Sequence, residues 1–175
     1  MIPCRSTLTL SALAALGLAI APIAPGTAHA QAAKPAAAPA ASDKLVERGR
    51  YLVKIAGCND CHTDGYMQAE GKVPEKEWLT GSSFGWRGPW GTTYAINLRM
   101  HMQDRTEAEW LKEARKIDAL PPMPWFAVRE MHTDDLRAIY RFIRQLGPVG
   151  KPAPAFVPPE KEPKPPYALF PSPPK

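Results

Sequence analysis

The chain has 175 residues, 22 lysines and arginines against 17 aspartates and glutamates, a formal net charge of +5 and three cysteines. That length admits a single modest domain. The basic surplus sits mostly in the tails, because residues 43 to 147 hold 16 basic and 15 acidic side chains; the sequence pI of 9.2 is therefore no sign of nucleic-acid binding.

Residues 1–30 have the form of a signal peptide. Arg5 precedes an apolar run from Leu8 to about Ala24, and Ala28-His29-Ala30 supplies a small-x-small cleavage pattern. The run falls short of the ~20 residues that a membrane span needs and contains Pro22. Export to the periplasm with cleavage after Ala30 is expected, which removes Cys4 and leaves Cys58 and Cys61. Residues 31–42, "QAAKPAAAPAAS", are an Ala/Pro-rich linker with nothing to bury.

The folded unit is expected at 43–147. From Asp43 to Ala56 the residues Leu45, Gly49, Leu52, Val53 and Ala56 recur at helical spacing, and Gly57 allows the helix to end. Straight after it comes "CNDCH". Two thiols three positions apart, followed at once by a histidine, form the attachment signature of c-type haem. On one helical turn Cys58 and Cys61 can each make a thioether to a vinyl group, and His62 then stands beneath the iron as proximal ligand. A thioredoxin-like pair would instead open a helix after a strand. A structural disulfide leaves His62 without a role, and a zinc site lacks a closely spaced fourth ligand.

From Thr63 to Asp104 helical and strand periodicity both fail. The segment "LTGSSFGWRGPWGTTYAINL" is rich in glycine and aromatics, and so long an irregular stretch is expected to wrap a ligand. Trp86, Arg87, Trp90 and Asn97 are candidates to hold the haem propionates, with core packing an equal alternative for the tryptophans. Thr106 and Glu109 form a capping-box pattern that opens a helix to about Lys116. Thr133, followed by Asp134 and Asp135, is expected to cap a last helix to about Leu146, stopped by Gly147-Pro148.

Between these helices lies "ALPPMPWF". Pro121, Pro122 and Pro124 stiffen the backbone on both sides of Met123, an otherwise flexible side chain. Residues 148–175 form a proline-rich tail, in which ten of the last 25 residues are proline. It is expected to be a solvated spacer or a strap across a partner protein or membrane surface.

With "CNDCH", the proline-flanked Met123 and the two end helices in place, the chain resembles the class I cytochromes c over about Asp43 to Leu146. "GTTYAINL" and "PPMPWF...MHTDDLRAIYRFIRQLGPV" are similar to segments of cytochrome c subunits of bacterial periplasmic dehydrogenases. The resemblance implies an all-α class I cytochrome c fold, a few helices wrapped around one covalently attached haem c with long irregular loops. It implies that Gly49 packs against Ile139 and Phe142 where the first and last helices cross. It also implies a distal methionine in the loop before the last helix, where Met123 stands. His101 within "MHM", with its neighbours, is the competing distal ligand, and a site with no distal protein ligand is the third possibility.

The function so implied is that of an electron carrier rather than an enzyme, or of the electron-transfer subunit of an oxidoreductase complex. It would pass single electrons from a dehydrogenase or respiratory donor to an oxidase or carrier. A five-coordinate haem c protein that binds a gas or reduces peroxide is the alternative. The expected partners are redox proteins and not nucleic acid, with membrane association only through a partner or the tail.

Overall fold

Residues 41–171 are described in this computed structural model. The expected signal peptide and nearly all of the 31–42 linker lie outside the described residues. Helix α1 (Ala41–Ile55) and helix α6 (Thr133–Leu146) form the main packing unit. They cross at Gly49: a Cβ there would stand 2.0 Å from the Ala138 carbonyl oxygen and 2.8 Å from Phe142 Cβ. Phe142 thus has the partner expected of it, while Ala138 rather than Ile139 makes the closest approach. The apolar face of α6, including Leu136, Ile139, Phe142 and Ile143, is buried, and Trp78 meets the Phe142 ring edge-on.

Between these helices the chain forms α2 (Cys58–His62), α3 (Leu98–Gln103), α4 (Glu107–Ala114) and α5 (Trp125–Glu130). The Thr106–Glu109 capping box closes in both directions. Thr133, in contrast, is the first residue of α6 and not its cap; its hydroxyl accepts from the Arg115 guanidinium at 3.1 Å. Arg99 ties the end of α6 to the middle of the chain, donating to Gly147 O at 2.6 Å, to Lys76 O at 2.7 Å and to Leu146 O.

The expectation of an all-α fold is corrected by a three-stranded mixed sheet of order β2-β1-β3. Strand β1 (Gly85–Gly88) pairs antiparallel with β2 (Gly91–Tyr94), and β3 (Tyr167–Leu169) pairs parallel with β1. Strands of four residues are too short to show an alternating pattern, and Gly85, Gly88 and Gly91 dilute what little there is.

The third strand comes from the proline-rich tail. Proline has no N–H to give, but its carbonyl still accepts: Gly85 N donates to Pro166 O at 3.0 Å, and Arg87 donates to Pro159 O at 3.3 Å and to Lys161 O at 2.8 Å. Phe170 N returns a bond to Arg87 O at 2.7 Å. From Val157 to Phe170 the tail therefore contacts the chain's own sheet, a placement its composition does not announce.

Candidate functional site

The first helix ends where Gly57 adopts a left-handed conformation, and α2 begins at once with Cys58. This single turn is latched to the loop beyond it. Thr63 Oγ1 donates to Asn59 Oδ1 at 2.7 Å and accepts from Leu79 N at 2.8 Å, while Gly81 N donates to His62 O at 2.8 Å. Asn59 and Thr63 are buried; Asn59 Oδ1 and Thr63 Oγ1 find their partners inside the fold rather than in water, while Asn59 Nδ2 has none among the described residues.

His62 is buried, and its Nδ1 lies 2.8 Å from the Ile96 carbonyl oxygen. A carbonyl can only accept, so Nδ1 carries the hydrogen and Nε2 keeps its lone pair. Burial pushes the His62 pKa below the usual histidine value, although the Ile96 carbonyl opposes this. Burial favours the neutral imidazole and the Ile96 carbonyl orients it, which together present the form that binds a metal.

Cys58 and Cys61 are half-buried free thiols. Burial, reinforced by Asp60 and Cys61, pushes the Cys58 pKa up to about 11; burial and Asp60 also raise that of Cys61. A redox or nucleophilic pair depends on a thiolate made accessible by a lowered pKa. These thiols are held in the opposite state, which weighs against thioredoxin-like chemistry.

Met123 is half-buried in the turn between α4 and α5. The turn is held from three directions. Thr93 Oγ1 of β2 donates to Pro121 O at 2.8 Å. Arg129 donates to Ile117 O at 2.6 Å and lies over the Trp125 ring at 4.3 Å. Arg115 donates to Met131 O at 2.6 Å and also to Arg129 O.

Cys58, Cys61, His62 and Met123 line one cavity of about 430 Å³. Its walls include Trp86, Leu98, Met102, Ile139 and Ile143, so they are almost wholly apolar, and its size is that of a small-molecule or cofactor site. The donor set suits haem: a neutral imidazole on one segment, a thioether sulfur on another, and two thiols beside the imidazole. Among the described residues no group of three or more His, Cys, Asp or Glu side chains is placed to hold a bare metal ion.

His101 lines the same cavity, but its Nε2 is 2.9 Å from Glu113 Oε1. As a distal ligand it would have to give up that partner or use its other nitrogen. The propionate candidates divide. Trp86 faces the cavity, whereas Arg87 is engaged by tail carbonyls and Glu162, and Asn97 donates to Val149 O at 2.8 Å and to Lys151 O at 3.3 Å. Trp90 packs on Phe170 at 5.4 Å between ring centroids, and its buried Nε1 has no partner among the described residues.

The sequence reading passed over Thr93 and the Ile96 carbonyl. Both lie in "GTTYAINL", Thr93 on the short strand β2 and Ile96 in the irregular connection between β2 and α3. Comparison of the chain with family models, curated proteins and solved structures finds no match.

Proposed function

We propose that this chain is a monohaem c-type cytochrome of the class I kind, holding one covalent haem c and carrying single electrons. The observation that carries this reading is the convergence of Cys58, Cys61, His62 and Met123 on one apolar cavity. Haem bound there would supply one reversible electron, with His/Met ligation favouring the ferrous state and so a higher potential than two histidines.

The chain's own residues do the rest. Cys58 and Cys61 would anchor the group by thioethers. His62 presents its Nε2 lone pair because the Ile96 carbonyl occupies the proton on the other nitrogen. Met123 offers a neutral sulfur from a turn held by Thr93, Arg129 and Arg115. The apolar walls keep water away from the site, which disfavours extra charge there. If His62 and Met123 both held the iron, no position would be left open to substrate, which supports an electron carrier over an enzyme.

The donor would be a periplasmic dehydrogenase or another respiratory donor, and the acceptor an oxidase or a further carrier. The near-balance of charge over 43–147 supports docking without strong electrostatic steering. The test is to express the full chain with a periplasmic haem-attachment system and extract it with acidified acetone. Haem that stays with the protein and gives the haemochrome spectrum of two thioethers supports the reading; haem that extracts freely, or none, overturns it.

A further inference from the structure

The tail packs where it does through purpose-shaped contacts. Gly91 has φ +105°, and a Cβ there would stand 2.6 Å from Val157 O and 2.7 Å from the Phe156 ring; a Cβ on Gly85 would stand 3.0 Å from Tyr167 Cβ. The hairpin is thus bare where the tail crosses it. Across that surface Thr92 and Val157 exchange backbone bonds of 2.7 and 3.0 Å. Arg87 gathers Lys161 O, Pro159 O and Glu162, and Phe170 packs its ring on Trp86 and Trp90 at 6.1 and 5.4 Å.

Successive residues of a strand face opposite sides. Thr92 is buried beneath the tail crossing, and the next residue, Thr93, turns its hydroxyl to Pro121 O at 2.8 Å. Pro121 lies two residues before Met123, and Trp86 and Thr93 both line the cavity. The tail therefore meets the hairpin at Thr92 and Arg87 on one side, and through Phe170 at Trp86 on the other, the side from which Thr93 reaches the methionine turn.

We propose that the segment from Val149 to Phe170 is a positioning strap: it fixes the β1–β2 hairpin, and the hairpin, through the Thr93 hydroxyl, holds the Pro121–Pro124 turn so that Met123 stays directed at the cavity. Thr93 and Phe170 are positioning residues that act through Met123. This rests on the reading of Met123 as the distal haem ligand.

The contact chain sets the fraction of time that Met123 is released. Losing one hydrogen bond from the turn raises that fraction about fivefold, the factor that a single net hydrogen bond of ordinary strength supplies. Because Thr93 and Phe170 act in series, their effects should not add.

The experiment uses the full-length haem-loaded protein in five forms: wild type, Thr93→Val, Thr93→Ser, Phe170→Ala and the Thr93→Val/Phe170→Ala double variant. For each, the near-infrared sulfur-to-iron band of the oxidised form, the rate of CO binding to the reduced form and the melting temperature are measured. The strap predicts that Thr93→Val and Phe170→Ala weaken the band and speed CO binding about fivefold, that Thr93→Ser restores both readings, and that the double variant goes no further than the stronger single one. Lower melting temperatures with an unchanged band and CO rate would make the tail a stability element only and overturn the proposal. Additive effects would overturn the serial route through Thr93. A wild-type protein with covalent haem but no band would instead remove the Met123 reading, and the strap's role with it.

Discussion

His62 Nδ1 donates to the carbonyl oxygen of Ile96, 34 residues along the chain, at 2.8 Å. This bond fixes which imidazole nitrogen is free, and it comes from the segment that also carries Thr93 and Asn97. His62 and the methionine turn are thus oriented by neighbouring residues of one short stretch, 93–97, which the tail also contacts at Asn97.

The first prediction concerns the two thiols. Cys58→Ser and Cys61→Ser should each leave haem attached through one thioether, with the haemochrome band displaced from that of the wild type. The double variant should release its haem to acidified acetone. Retention of haem by the double variant would show that attachment does not run through these cysteines.

The helix crossing gives a stability prediction. Gly49→Ala places a methyl group 2.0 Å from a backbone oxygen of α6, a clash that no side-chain rotation relieves. Overpacking of this kind costs about 1–3 kcal/mol, and the approach to rigid backbone places this site at the upper end, above the ~1 kcal/mol that alanine gains over glycine in helix propensity. Urea denaturation of the haem-loaded protein should show a lower midpoint; an unchanged or higher midpoint would mean that the helices move apart freely.

Glu109 makes the stability of α4 depend on pH. The Thr106 N–H, and then its hydroxyl, donate to the Glu109 carboxylate at 2.7 and 2.8 Å and hold its pKa below the ordinary 4.5. A depressed carboxyl stabilises the fold above its unfolded pKa and loses that contribution as pH falls through the folded value. Wild type and Glu109→Gln should therefore differ most in stability near neutral pH and converge below pH 4.5. Parallel denaturation curves across that range would contradict the assignment. Thr106→Ala, which removes the reciprocal cap, should cost about 1 kcal/mol.

Much of this was legible from local pattern. The faces of α1 and α6, the Thr106–Glu109 box and the "CNDCH" turn each depend on residues within one or two helical turns, and each stands where its spacing places it. The sheet was not legible, because β3 is recruited from residues 167–169 to pair with β1, 82 residues earlier, and no local periodicity encodes such a pairing. Helices α3 and α5 were also missed: each is six residues long, too short to repeat a face. Arg87 and Asn97 were read as ligand-facing because their surroundings are aromatic and glycine-rich; the tail carbonyls that engage them lie more than 50 residues away. Met123 could be singled out from its flanking prolines, but not Thr93, whose role depends on which way a four-residue strand turns its side chain.

The most direct measurement is the near-infrared absorption of the oxidised, haem-loaded protein, compared with that of Met123→Ala. A methionine sulfur on iron predicts a weak band in the wild type that disappears in the variant, together with a lower reduction potential and rapid CO binding in the reduced variant. A wild type without the band, or a variant that keeps both the band and the potential, would show that Met123 is packing and that the distal ligand lies elsewhere, with His101 an alternative on the cavity wall.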